Sequence, residues 1–252
     1  MGGAIGRGHW RGGLYGNDIM KLNIDKTIFE LFPGMKIVTA VANGLGTANV
    51  NAIADELDTA WQNAAREAVK YENPQSHPNI APWGERMKAA GAPRKKFPSS
   101  IEALTRRAGK GGEPVRIGPL VDFYNAISLR YLVPAGGFDI DDLRYGLELR
   151  LSRDGDTFKG LDDDEVINLP AGEVSYADGK DIVTRHFVWK QSRRAMITPE
   201  SKNIFFISEV LGELPFDLVE DVHRAFVEGI KRHFNVEARM NILDSQNLEI
   251  DL

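Results

Sequence analysis

The stretch from Pro119 to Gly137 most restricts how this chain can fold. Leu120, Phe123, Tyr124, Ile127 and Tyr131 recur at helical spacing and form a stripe broad enough to mark a buried helix, which needs other layers packed around it. Pro119 suits the first turn, where its missing amide hydrogen would have had no partner. Pro134 ends the helix. Gly136 and Gly137 then allow an elbow that other segments can approach closely. Asp122 and Asn125 fall within the stripe, so each is either a core residue with satisfied hydrogen bonds or part of a site.

Either side of this helix the periodicity is mixed. Phe32 to Ala42 is rich in Val, Ile and Thr and reads as a first strand. Asn49 or Asn51 caps a helix with Ile53, Leu57, Trp61, Ala64 and Ala68 on its inner face, stopping before Asn73-Pro74. Trp83, Met87 and Ala90 suggest a short helix closed by Gly91. Ser99 and Glu102 have capping-box spacing and open a helix that carries Arg106 and Arg107 near its end. Downstream, Leu147, Leu149 and Leu151 alternate with Glu148 and Arg150 as a half-buried strand, and Asp154-Gly155 signals a hairpin. Glu173 to Ala177, Ile182 to Trp189, Ile204 to Val210 and Val236 to Leu243 read as further strands. Pro215 opens a helix bearing Leu218, Val222, Phe226 and Ile230.

This order predicts an α+β fold of mixed β-sheet lobes with packed helices, not a doubly wound sheet. Residues 1–19 form a glycine-rich leader expected to be disordered. Residues 20–252 are expected to make one compact domain: a helical and strand part at 20–96, a core module at 97–210, and a closing helix and strand at 215–252.

Chemistry is narrowed mostly by elimination. The chain has no cysteine, which removes disulfides, thiolate nucleophiles and the usual structural zinc sites. No Walker loop, dinucleotide fingerprint, HExxH or GxSxG occurs. His77 lies in a proline-rich loop, His186 in a predicted strand, and His223 and His233 are too far apart to share one metal-binding face. Asp162 to Glu165 lacks the interleaved glycine of a calcium loop and reads as a solvated turn. No metal or cofactor is expected. No apolar run reaches the ~20 residues of a membrane helix, and the leader has no signal-peptide core, so the expected location is the cytoplasm.

The net charge of −5 argues against a nucleic-acid coat, yet residues 85–116 hold nine Lys/Arg against three Asp/Glu. Residues 139–165 reverse that balance, with ten acids against four bases. Such a pattern suits a protein with one basic face, or simply two solvated surfaces. Arg106 and Arg107 are equally compatible with a helix C-terminus and with phosphate contacts.

Arg116, Ile117, Val121-Asp122, Asn125, Pro134 and Phe138-Asp139, resumed at Thr198 through Asn203 into an apolar strand, stand in a recognisable order. In these residues the chain resembles the tRNA-editing module of the phenylalanyl-tRNA synthetase beta subunit, formed by its B-three and B-four domains, and in particular its free-standing version. Three positions depart from the synthetase pattern. Gly136 stands where the editing-site histidine falls, Arg193 near the tyrosine-sensing glutamate, and Tyr124 in place of a threonine. A site that rejects tyrosine through its phenol needs such partners, so the departures imply a substrate other than tyrosyl-tRNA.

The resemblance implies hydrolysis of the ester that joins a wrong amino acid to the tRNA 3′ end. On that reading the amides of Gly136 and Gly137 would stabilise the oxyanion. Asn125 would orient the water or the ribose, Glu173 or Asp122 would accept a proton, and the vicinal ribose hydroxyl would assist. Lys95, Lys96, Arg193, Arg194 and Lys202 are candidates for tRNA phosphates, joined by Arg106, Arg107 and Arg116. Tyr124 is a candidate substrate contact, and Trp189 is either core or a stacking platform. The expected partner is tRNA or aminoacyl-tRNA, with neither DNA nor membrane. The alternative is a noncatalytic tRNA- or RNA-binding module on the same scaffold.

Overall fold

The structure, a computed structural model, describes residues 19–252. The expectation for the leader therefore falls outside the described residues, apart from Ile19. Among the described residues, two sheets and six α-helices make up the α+β fold. The smaller sheet is antiparallel throughout, in the order β11 (Arg239–Leu243), β2 (Lys36–Ala42), β10 (Ile204–Val210), β3 (Ala135–Asp139). The larger sheet runs β12 (Glu249–Asp251), β1 (Lys21–Ile24), β4 (Leu147–Leu151), β7 (Val174–Asp178), β8 (Asp181–Arg185), β5 (Thr157–Phe158), β6 (Ile167–Asn168), with β9 (Lys190–Gln191) also on β8. Its pairs β1–β4 and β5–β8 are parallel. Among the described residues no helix is long and apolar enough to cross a membrane.

β10 is the central plank, with all seven residues buried. One face carries Phe206, which meets Phe123 of α5 (Pro119–Tyr131) and Phe226 of α6 (Asp217–Phe234), at centroid distances of 5.5 and 6.0 Å. Its other face carries Phe205, Ile207 and Glu209 toward the larger sheet. A strand covered on both sides must be apolar almost throughout. α2 (Val50–Lys70) packs over α5 and α4 (Ser100–Gly109), completing a helix–sheet–sheet stack.

The local signals explain the helix ends. Asn49 accepts from the amide of Ala52, and Ser99 accepts from that of Glu102. α5 stops at Leu132 in the left-handed region, where Ser128 Oγ donates to Val133 O at 2.6 Å. Ser208 Oγ donates to Pro134 O at 2.7 Å and fixes the next turn of chain against β10.

Several expectations are corrected. The predicted strand from Phe32 begins only at Lys36, because Phe32 caps α1 (Lys26–Leu31). Gly136 and Gly137 lie in a strand, not an elbow, and neither has positive φ. Their lack of side chains serves packing, not a turn. The strand predicted to Trp189 ends at Arg185, so His186 lies in a turn. Arg150, expected to face solvent, is 2% exposed because Asp156 folds back beneath it and takes its guanidinium at 2.7 and 3.2 Å. The short strands β5, β6, β9 and β12, with β1 and α1, carry too few residues for periodicity to reveal.

Candidate functional site

Between the two sheets lies a cavity of about 110 Å³. Ile207 and Glu209 of β10 form its floor, β3 from Ala135 to Phe138 one wall, and Tyr176, Thr184 and the turn after β8 the other. Gly136 makes this space. A Cβ built there meets nothing within 4 Å, and its ladder partner is Ile207 of the floor. Gly137 points the other way, where a Cβ would come within 2.8 Å of Ile197 Cδ1 and 3.3 Å of Phe206 Cδ1. One glycine leaves room for something absent; its neighbour lets the core close.

β3 is an edge strand, and its backbone is not fully used by β10. Asp139 donates its amide to Ala195 O at 3.0 Å, away from β10. Donors in an antiparallel ladder alternate in direction, so Gly137, two residues earlier, also turns its amide to the open edge, while Gly136 spends its own on β10.

At the floor, Glu209 is 3% exposed and accepts the hydroxyl of Tyr176 at 2.7 Å. Burial pushes its carboxyl up to about 7, against the lowering effect of that hydrogen bond. Burial and the adjacent carboxylate push the Tyr176 phenol well above its ordinary value. A carboxyl held in apolar surroundings near neutrality is a costly feature, and such groups concentrate at sites.

The opposite wall is a strained turn. His186 and Phe187 are consecutive non-glycine residues with φ of 43° and 61°, a conformation that costs on the order of 1 kcal/mol each. Glu173 holds it: Oε1 accepts the His186 amide at 2.9 Å and Arg185 Nε at 3.0 Å, and Oε2 accepts Arg185 at 2.8 Å. Phe187 is driven into the core against Phe32 and Trp83. The turn thereby presents Trp189 to the cavity, with the His186 ring 3.7 Å from Phe97 and 5.6 Å from Trp189. Burial lowers the pKa of His186.

Of the residues singled out in the sequence, Gly136, Gly137 and Trp189 share this cavity. Glu173 supports its wall without lining it. Asp122 is spent on α5, where Oδ1 accepts the amides of Ile117 and Gly118 at 3.0 and 3.5 Å. Asp122→Ala is expected to lower stability by about 1 kcal/mol and Asp122→Asn to recover most of it, read from urea midpoints. Asn125 and Tyr124 are half-buried on α5 and do not line the cavity; burial raises the Tyr124 phenol.

The cations divide sharply. Arg106 and Arg94 both engage buried Glu102, and Arg116 pairs with Asp58 at 2.6 Å. Arg194 contacts Asp142 and Asp181 and, with Arg193 and Lys159, lines a different cavity of about 310 Å³. Arg193 is exposed and donates to Leu161 O at 3.0 Å. Lys95, Lys96, Arg107 and Lys202 are exposed, and Lys96 stands 5.1 Å over the Phe97 ring beside the cavity's Trp189. Sequence reasoning passed over Glu209 and Tyr176. The signal was there: Glu209 is the one acid in the apolar run from Ile204 to Val210.

Residues 86–234 match the family model described as the B3/4 domain. The chain belongs to the B3/4 domain family. No curated protein matches the sequence. Among solved structures, the chain is similar to an N-terminal fragment of the phenylalanyl-tRNA synthetase beta subunit from Pyrococcus horikoshii, at 11% identity and a TM-score of 0.47. That likeness covers 90% of this chain and 53% of the other, so the chain spans about half the length of that fragment. The B3/4 match holds β3, α5, the strained turn and β10, and hence the whole lining of the cavity. It leaves out β2, which pairs with β10 along all seven residues. The segment from Lys36 to Ala42 thus completes the hydrogen-bond ladder of the strand that forms the cavity floor.

Proposed function

We propose that this B3/4 domain is a trans-acting aminoacyl-tRNA deacylase whose cavity between the sheets receives the aminoacyl group. The reading rests on the resemblance of residues 116–139 and 198–203 to the synthetase editing module. The observation that carries it is the side-chain-sized space that Gly136 opens above buried Glu209. On this reading residues 20–252 act as one domain, in the cytoplasm.

In the reaction, water oxygen bonds to the ester carbonyl carbon and the bond from that carbon to the ribose oxygen breaks. The proton released by the water ends on the ribose oxygen, giving free amino acid and uncharged tRNA. The ester is already activated, so the protein supplies position and oxyanion stabilisation. The edge-facing amide of Gly137 is the donor suited to the oxyanion. Lys95, Lys96, Arg107 and Lys202 are exposed, as are Lys88 and Lys110 beside them, and are available to phosphates.

The test is a panel of tRNAs each charged with a different amino acid, incubated with the protein. At least one ester is expected to hydrolyse 100-fold or more above the spontaneous rate. Binding to tRNA that falls steeply with salt, without any hydrolysis, would establish the noncatalytic RNA-binding module instead.

A further inference from the structure

We infer that the cavity selects a small amino acid carrying a side-chain hydroxyl, serine or threonine, and excludes aromatic ones. The inference rests on the deacylase reading and names its substrate class.

Size is the first argument. The space is about 110 Å³, smaller than the roughly 150 Å³ apolar cavity that binds benzene. Its walls do not give easily. Phe138, Tyr176 and Phe187 are all at most 3% exposed, and Phe138 stacks on Phe205 while Phe187 is wedged against Phe32 and Trp83. Side chains of two or three heavy atoms therefore suit the space better than those of phenylalanine and tyrosine.

The floor supplies the second argument. By strand register Glu209 lies two residues beyond Ile207, the partner of Gly136, or about 7 Å further along β10. A side chain that crosses the gap at Gly136 therefore points its end toward the carboxyl. Oε1 of Glu209 accepts the Tyr176 hydroxyl, which is its sole side-chain donor among the described residues. Glu209 lines the cavity, so its carboxyl can meet a substrate hydroxyl there, a hydrogen bond that a methyl group in the same place cannot make. Sites that hydrogen-bond a substrate hydroxyl discriminate far more strongly against the analogue lacking it than apolar pockets discriminate by size.

Threonine and valine are nearly isosteric, so they separate recognition of the hydroxyl from size. The protein is assayed on one tRNA charged in turn with serine, threonine, alanine, valine, phenylalanine and tyrosine. Seryl and threonyl esters are expected to hydrolyse fastest, threonyl at least 100-fold faster than valyl, with phenylalanyl and tyrosyl at the spontaneous rate. The double variant Glu209→Leu with Tyr176→Phe makes the floor apolar while leaving neither partner unsatisfied, and is expected to favour valyl over threonyl. Faster hydrolysis of the aromatic esters, or equal rates on threonyl and valyl, would overturn the substrate class while leaving the deacylase intact. A double variant that folds, deacylates and still prefers threonyl would overturn the role of the floor. If no ester in this set or among the remaining amino acids is hydrolysed, the deacylase reading itself falls.

Discussion

Glu209→Gln is expected to make the protein more stable at pH 8 and to leave it nearly unchanged at pH 4.5. Burial holds the Glu209 carboxyl at about 7 against an ordinary value of 4.5. The folded protein thus keeps a proton that the unfolded chain gives up as pH rises through 4.5. Stability from this group is complete below pH 4.5 and is lost as pH climbs through 7. The displacement corresponds to a loss on the order of 3 kcal/mol above pH 8. Glutamine has nearly the same shape, offers an oxygen to the Tyr176 hydroxyl and cannot ionise, so it escapes that loss. His77 and His186, whose pKa values burial lowers, work in the opposite sense and lose stability as pH falls through their range. Both proteins carry them, so they cancel in the difference. Urea midpoints for the two proteins at pH 4.5, 6, 7 and 8 give the result directly. A difference that stays constant with pH would show that Glu209 does not titrate in this range.

Sequence reasoning recovered the long elements because each is amphipathic over enough residues to show its period. α2, α5 and α6 are examples, as is β10 with its apolar run. It recovered capping at Asn49 and Ser99 because the chemistry is local. What it missed is of two kinds. β5, β6, β9 and β12 are two or three residues long, and only tertiary pairing makes them strands. The second kind concerns partners distant in sequence. The Glu102–Arg106 pair is local, at i,i+4 on α4, but nothing local says that Arg94 will join it or that Arg116 will reach Asp58 across to α2. The basic run from residue 85 to 116 therefore looks more available to phosphates than it is. Four of its nine cations, Arg86, Arg94, Arg106 and Arg116, are held in ion pairs, which leaves Lys88, Lys95, Lys96, Arg107 and Lys110 exposed.

The site shows the same division more sharply. Gly136, Gly137 and Trp189 were singled out and do line one cavity, yet the glycines stand in extended strand and not in a turn. Glu173 is near but occupied, because its two oxygens anchor a turn that would otherwise be unfavourable at His186 and Phe187. Glu209 and Tyr176 lie 33 residues apart in sequence and come from different sheets. Their pairing follows only from the stacking of those sheets. A single acid inside an apolar strand was the readable clue; its partner was not readable.

The two glycines of β3 are expected to answer substitution in opposite ways. Gly136→Val puts a side chain where a Cβ meets no atom within 4 Å, in a strand, where β-branched residues are favoured. Removing a glycine from a strand also recovers roughly 0.5–1 kcal/mol of backbone entropy. The variant should therefore fold with unchanged or slightly raised stability. Its branched side chain fills the cavity, so deacylation of every ester is expected to drop at least 100-fold. Gly137→Ala does the reverse. Its Cβ would sit 2.8 Å from Ile197 Cδ1 and 3.3 Å from Phe206 Cδ1. The end of the half-buried Ile197 can give, but Phe206 is closed in by Phe123 and Phe226. A loss of about 1 kcal/mol follows, with the cavity still open and its substrate preference unaltered. Thermal midpoints and deacylation rates on the same preparations distinguish the two. If Gly136→Val folds normally and still deacylates at the parental rate, the aminoacyl group does not enter between the sheets, because no path to Glu209 remains once that space is filled.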